Sequence, residues 1–136
     1  MEVRKYSHVD HDSLVGLLKA VFPDDTGHNE PAAVIEAKLK VDDLIYVAET
    51  GDHIIGCCMG GYDGVRGWLY SVSVLEEYRR EGVGAKLVRA VVTKLKEQGC
   101  IKVNLQVRAD NTKVTNFYKT LGFKEEDRLS MGVLLN

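Results

Sequence analysis

Cysteine is scarce: Cys57, Cys58 and Cys100 are the three in 136 residues, too few to close a disulfide framework, and no C-x-x-C spacing offers a zinc or redox pair. Reduced thiols in the cytoplasm are the expectation. Long apolar runs are missing as well. None approaches the roughly 18 residues of a membrane span, and the opening MEVRKYSHVDHD is charged from residue 2 and lacks the apolar stretch of a signal peptide. Nor is there an excess of one charge, since 18 Lys and Arg against 20 Asp and Glu leave a formal −2. Without a global positive field the chain is not expected to hold a nucleic acid, so any anion must be held by a local device. Repeats, linkers and low-complexity segments are absent from the sequence.

What is present fits one globular domain over residues 1–136: 45% apolar and 28% charged residues lie near the soluble average. Val3 to Ser7 predicts a first strand. Asp10 is placed to cap a helix carrying Leu14, Leu17, Leu18, Val21 and Phe22 at helical spacing and ended by Pro23, and Pro31 suits the first turn of a second helix reaching about Lys40. The runs Leu44 to Glu49, His53 to Tyr62 and Trp68 to Val74, separated by glycine turns, predict an antiparallel meander. From Gly84 the period changes. Leu87, Val88, Val91, Val92 and Leu95 form an amphipathic helical stripe that stops at Gly99, and Ile101 to Arg108 then alternates as a strand. Strand, helix, strand predicts a parallel crossover. Asn111 opens a last helix to Leu121, and Phe123 to Asp127 with Leu129 to Leu135 predict a closing strand pair. The fold class is therefore α/β with a mixed, mostly antiparallel sheet.

The segment Glu77-Tyr78-Arg79-Arg80-Glu81-Gly82-Val83-Gly84 lies between a strand end and a helix start. A helix N-terminus there presents unpaired amides, and its dipole favours an anion by ~0.3–1 kcal/mol. A phosphate or pyrophosphate fits such a device. It is not a P-loop, because Gly84 is followed by Ala85, Lys86 and Leu87, and it is not the dinucleotide fingerprint, whose third small residue falls on Leu87. On its own the glycine turn serves equally as a tight strand-to-helix connection.

The remaining pattern, Arg79-x-x-Gly82-x-Gly84, resembles the acyl-coenzyme A signature R/Q-x-x-G-x-G/A of the GNAT family of N-acetyltransferases, and Asn111 to Phe123 resembles that family's N-x6-Y-x3-G-F helix. Both occur in the family's order, so the resemblance spans nearly the whole chain and implies the GNAT fold with splayed parallel strands. It implies acetyl-CoA as co-substrate, with the backbone of Arg79, Arg80, Glu81, Gly82, Val83, Gly84 and Ala85 around its pyrophosphate. Val72 and Val74 would offer main-chain groups to the pantetheine arm, and Asn111 would contact that arm or fix its own loop. Tyr118 would face the sulfur and protonate the departing thiolate. The implied reaction is direct attack of a primary amine, from a small molecule or a protein, without a metal, by a monomer or homodimer.

Chemistry bounds these roles. A thiolate of conjugate-acid pKa about 8.5 leaves readily, so a phenol near pKa 10 should add toward the low end of the ~10²–10⁴ range for acid catalysis. An acceptor amine of pKa about 10.4 needs a base or a desolvating pocket. Where many members of that family that acetylate protein termini carry a segment like L-E-V-R, this chain reads Leu105-Gln106-Val107-Arg108. Glutamine is no base, which leaves water, a neutral amine or another carboxylate such as Glu49, and it motivates an alternative reading as a non-catalytic acyl-CoA sensor. Of Phe117 and Tyr118, about 100° apart on a helix, one must face inward. His8, Asp10, His11 and Asp12 straddle a helix start and read as capping and solvated groups, not as a metal cluster. Asp24, Asp25 and Glu30 hint at a cationic acceptor.

Overall fold

The computed structural model describes residues 1–135. They divide into two compact units, the first from Met1 to Leu105 and the second beginning at Gln106.

The first unit is built on a five-stranded sheet of order β1-β2-β3-β4-β5, with β1 (Glu2–Lys5), β2 (Ile45–Thr50), β3 (His53–Tyr62), β4 (Gly67–Val74) and β5 (Val103–Asn104). The pairings from β1 to β4 are antiparallel and β4–β5 is parallel, as the predicted meander and crossover require. The helices are α1 (His11–Val21), α2 (Pro31–Leu39) and α3 (Val83–Glu97). One core layer joins Leu14, Leu17 and Leu18 of α1 and Ile35 of α2 to Ile45, Val47, Cys57 and Met59 of the sheet. The other face takes α3, whose Val83, Leu87, Val88, Val91 and Leu95 are all buried.

The seat of α3 is cut by missing side chains. A Cβ on Gly56 of β3 would lie 2.9 Å from Leu87 Cδ1 and 3.3 Å from Val83 Cγ1, and one on Gly60 would run into Val91 Cγ1. Four residues apart on a strand, both glycines face the same way, so the helix approaches the sheet more closely than side chains would allow.

Three local expectations are corrected. Asp10 stands at the N-cap position of α1, but its side chain accepts from none of that helix's amides. A 3₁₀ turn, His8–Asp10, precedes that helix. The Asp10 carboxylate instead accepts from the Ser7 N–H at 2.8 Å and from both terminal nitrogens of Arg4 at 2.8 and 2.9 Å. The strand expected over 101–108 shrinks to Val103–Asn104, paired only with Gly67 and Trp68. Ile101 is 95% exposed, so the alternation there does not mark a buried face.

The second unit holds α4 (Thr112–Thr120), closed by Gly122 at φ 95°. The expected strand pair over 123–135 does not form among the described residues. Leu129, Met131, Val133 and Leu135 alternate as a strand would, but all four are exposed. No surface within this unit takes them, so burial cannot drive the pairing.

Candidate active site

β4 delivers the chain to the site by way of an irregularity. Cys57 and Met59 of β3 face Ser73 and Tyr70 of β4, so two steps on one strand oppose three on the other. The extra residue is a β-bulge, and it coincides with Ser71 in the left-handed region at φ 52°. Beyond Trp68, β4 has no β5 partner. Val72 and Val74 lie on this stretch, beyond the pairing, with their side chains half-buried.

After Val74 the chain makes a 3₁₀ turn, Glu76–Tyr78, and reaches the glycine loop. Arg79 turns back, its Nε donating to the Val74 carbonyl at 2.9 Å, and so ties the loop to the strand that feeds it. Arg80 at φ 69° and Gly82 at φ 80° then reverse the chain into α3. Gly82 is required by that angle, since a Cβ there would meet nothing within 4 Å. No side chain caps α3. The Gly82 carbonyl takes the Lys86 N–H at 3.1 Å, while the amides of Val83, Gly84 and Ala85 have no partner among the described residues. Glu81 and Gly82 are exposed, and Val83 is buried against Gly56, which fixes the direction of the helix end. The result is an uncapped positive helix end open to solvent, of the kind that favours an anion.

In the second unit Asn111 sits before α4 and its Oδ1 accepts from the Val114 N–H at 3.2 Å. The carboxamide therefore fixes its own loop and keeps its NH₂ for other use. Tyr118 is the buried member of the Phe117–Tyr118 pair, 7% exposed. It packs edge-on to Phe117 and Phe123, with ring centroids 5.0 and 5.6 Å away. Gln106 donates through its Nε2 to Ser130 Oγ.

The other candidates are committed elsewhere. Glu49 accepts from Arg4 Nε at 3.2 Å and stands on β2, separated from β4 by β3. Glu30 caps α2 through the amides of Ala32 and Ala33, and those two bonds hold its carboxyl below the usual range. The Glu30-Pro31 pair carried that signal in the sequence. Cys57 and Cys58 are both fully buried, and burial pushes the Cys57 thiol up to about 12 and Cys58 higher as well, which removes both as nucleophiles. No group of three or more His, Cys, Asp or Glu placed to hold a metal occurs among the described residues, and no helix there is long and apolar enough to cross a membrane.

The Acetyltransferase (GNAT) family profile matches residues 11–123. The chain belongs to the GNAT acetyltransferase family. Acetyltransferase SG1711 of Sodalis glossinidius is 37% identical over 131 residues, covering 93% of this chain and 89% of that one. Acetyltransferase ECA0875 of Pectobacterium atrosepticum is 40% identical over 136 residues, covering 97% and 94%. Among solved structures, aminoglycoside N-acetyltransferase AAC(6')-Iy in complex with CoA aligns with a TM-score of 0.83 at 22% identity, over 98% of this chain and 93% of that one. The Escherichia coli ribosomal-protein-S18-alanine N-acetyltransferase aligns with a TM-score of 0.79 at 17% identity, over 92% and 78%. At such identities the two structures speak for the fold. Family membership makes this GNAT protein an enzyme of acetyl transfer from acetyl-CoA to an amine, and a purely non-catalytic sensor is not favoured.

Proposed function

We propose that the α3 N-terminus is the pyrophosphate site for acetyl-CoA, with Val72 and Val74 holding the pantetheine arm and its thioester, and that the acceptor is a primary amine of a small molecule or a protein. The observation that carries the reading is the uncapped helix end behind the left-handed turn at Gly82. Three amides there lack partners, and hydrogen bonds to a charged group contribute ~1.5–3 kcal/mol each. Backbone from Arg79 to Ala85 would thus hold the coenzyme. Arg79 contributes by bracing the loop, and Arg80 and Glu81 by their main chain.

Beyond Trp68 the unpaired edge of β4 can accept the pantetheine amides as a further strand would. A main-chain N–H on that edge can polarise the thioester carbonyl as the amine attacks. The tetrahedral intermediate collapses with loss of the coenzyme thiolate, which Tyr118 protonates, while Asn111 holds the loop ahead of Tyr118's helix. Glutamine at position 106 and the engagement of Glu49 with Arg4 favour water, or an amine arriving neutral, as the proton acceptor. No metal takes part in this scheme. One transferase domain, monomeric or homodimeric, acts in the cytoplasm on acetyl-CoA and its amine acceptor, with neither nucleic acid nor membrane as partner.

The test is coenzyme A release from acetyl-CoA across a panel of small amines and peptide amines, alongside calorimetric binding of CoA. Turnover on at least one amine, with weaker coenzyme binding in Gly82→Ala, is expected. Absence of CoA binding would overturn the reading.

A further inference from the structure

Ser71 is one of two non-glycine residues with positive φ among those described, and it sits inside a strand, not in a turn. L-residues enter that region rarely, and inside a strand the surroundings must hold them there. Two residues on, Ser73 is a buried polar side chain, 4% exposed, opposite the fully buried Cys57. Its hydroxyl donates to the Ser71 carbonyl at 3.2 Å. A hydroxyl at that depth needs a partner, and the one it finds is the peptide whose reversal makes the bulge.

We infer that Ser73 is a positioning residue for acetyl transfer: its hydroxyl locks Ser71 in the left-handed conformation and so sets the direction of the free β4 edge that carries Val72 and Val74. This rests on the proposed use of that edge by the pantetheine arm. Without the bulge, β4 would regain regular pleating. Residues 67–70 would then shift by one against β3 and change faces, and the peptide joining Ser71 to Val72, at the start of the edge, would be re-aimed. The bond acts on the reaction through the backbone of its neighbours and touches no substrate.

Ser73→Ala should raise the KM for acetyl-CoA roughly fivefold, the factor that corresponds to one ordinary net hydrogen bond. Ser71→Gly placed on that background should return KM to within about twofold of wild type, because glycine adopts positive φ without help. Ser71→Val, whose branched side chain disfavours positive φ, should reproduce the Ser73→Ala defect alone. A role in packing only would lower the melting temperature of Ser73→Ala without moving KM, and glycine at 71 would restore nothing. Either result overturns the inference.

The conformation at residue 71 is read independently of activity from its three-bond HN–Hα coupling and its Cα and Cβ shifts. These should leave the left-handed range in folded Ser73→Ala and Ser71→Val. Retention of positive φ in both would also refute the inference. If Ser73→Ala does not fold, Ser71→Val alone carries both readouts. Failure of wild-type protein to bind CoA would instead count against the proposed site, and the spectroscopic readout would still decide the role of Ser73.

Discussion

Gly56→Ala adds one methyl group to β3 at the place where α3 meets the sheet. The new Cβ would lie 2.9 Å from Leu87 Cδ1, 3.1 Å from the Ser73 carbonyl oxygen and 3.3 Å from Val83 Cγ1. All three are tight against the roughly 3.5–4.0 Å optimum for carbon contacts. Leu87 is fully buried and cannot swing away, and the Ser73 oxygen is backbone within the bulged strand. Overpacking of this kind costs about 1–3 kcal/mol. Replacing glycine by alanine recovers about 0.4–1 kcal/mol through the unfolded chain where the native backbone allows it. The net loss is therefore about 0.5–2 kcal/mol, and at roughly 3–5 °C per kcal/mol for a chain of this size the melting temperature should fall by several degrees. Relief requires the first turn of α3 to lift by several tenths of an ångström, and that turn carries the unpartnered amides. Affinity for acetyl-CoA should fall about tenfold, equal to part of one charge-assisted hydrogen bond. The measurements are scanning fluorimetry without ligand and titration calorimetry with acetyl-CoA. Gly16→Ala is the control: its Cβ would meet nothing within 4 Å, and it lies inside α1, so it should stabilise by about 0.5–1 kcal/mol. Wild-type coenzyme affinity in Gly56→Ala would refute the claim that this glycine sets the height of the proposed phosphate-binding turn.

Tyr118→Phe should reduce kcat by about 10²-fold or less, because the coenzyme thiolate leaves readily without help; a loss above 10⁴ would mean the tyrosine does something other than protonate sulfur. The Arg4 hydrogen bonds lower the Asp10 carboxyl pKa in the folded state, against an opposing effect of burial. A depressed folded pKa means that this contribution is complete above the unfolded value of about 3.9 and is lost as pH falls through the folded one. Urea denaturation should therefore show Asp10→Asn destabilised at neutral pH, with the gap to wild type closing as pH falls below the unfolded carboxyl value of about 3.9; a gap independent of pH would contradict the assignment. Ellman's reagent applied to folded, unliganded protein should label Cys100 far faster than Cys57 or Cys58, since the last two are fully buried and Cys100 is half-buried; rapid reaction of two or three thiols would refute it.

The elements that sequence reasoning placed well are those whose signal is local. Glycine at 82 and 84 between a strand and an amphipathic stripe marks the helix start in the chain itself, and α3 begins at Val83. Asn111 carries its cap three residues ahead of the amide it accepts. Asp10 stands at the N-cap position its place before the apolar stripe predicts, but a carboxylate there has two outlets, the helix amides or a cation. Arg4, brought alongside through β1, outcompetes the amides. The segments 101–108 and 123–135 carry the alternation of strands, but alternation records which residues could share a face and not whether a partner strand is present. Gln106 could be read as a missing base only through the resemblance, which sets Leu105-Gln106-Val107-Arg108 against L-E-V-R. The engagement of Glu49 with Arg4 could not, since it depends on the β1–β2 register.

The bulge in β4 left no mark that pattern reading could use. Trp68 to Val74 is rich in strand formers, and serine at 71 advertises no left-handed angle. Its cause is only partly local: the buried Ser73 hydroxyl holds the reversed peptide from within the strand, while Cys57 and Met59 hold the register from β3. In a regular sheet β4 and β5 would stay paired along their length, and the edge of β4 would have no groups to spare for a ligand. Pairing that stops at Trp68 leaves them spare, so the departure from ideal strand geometry is what would let the edge take the proposed ligand. The glycine loop signals where an anion can rest, whereas the strand irregularity that would orient the thioester is visible only in three dimensions. That division predicts that substitutions in the loop act on coenzyme affinity through the phosphates, and substitutions at 71 and 73 through the pantetheine end. Desulfo-CoA and 3',5'-ADP separate the two: loop variants should weaken both ligands, and bulge variants only the one that retains the arm.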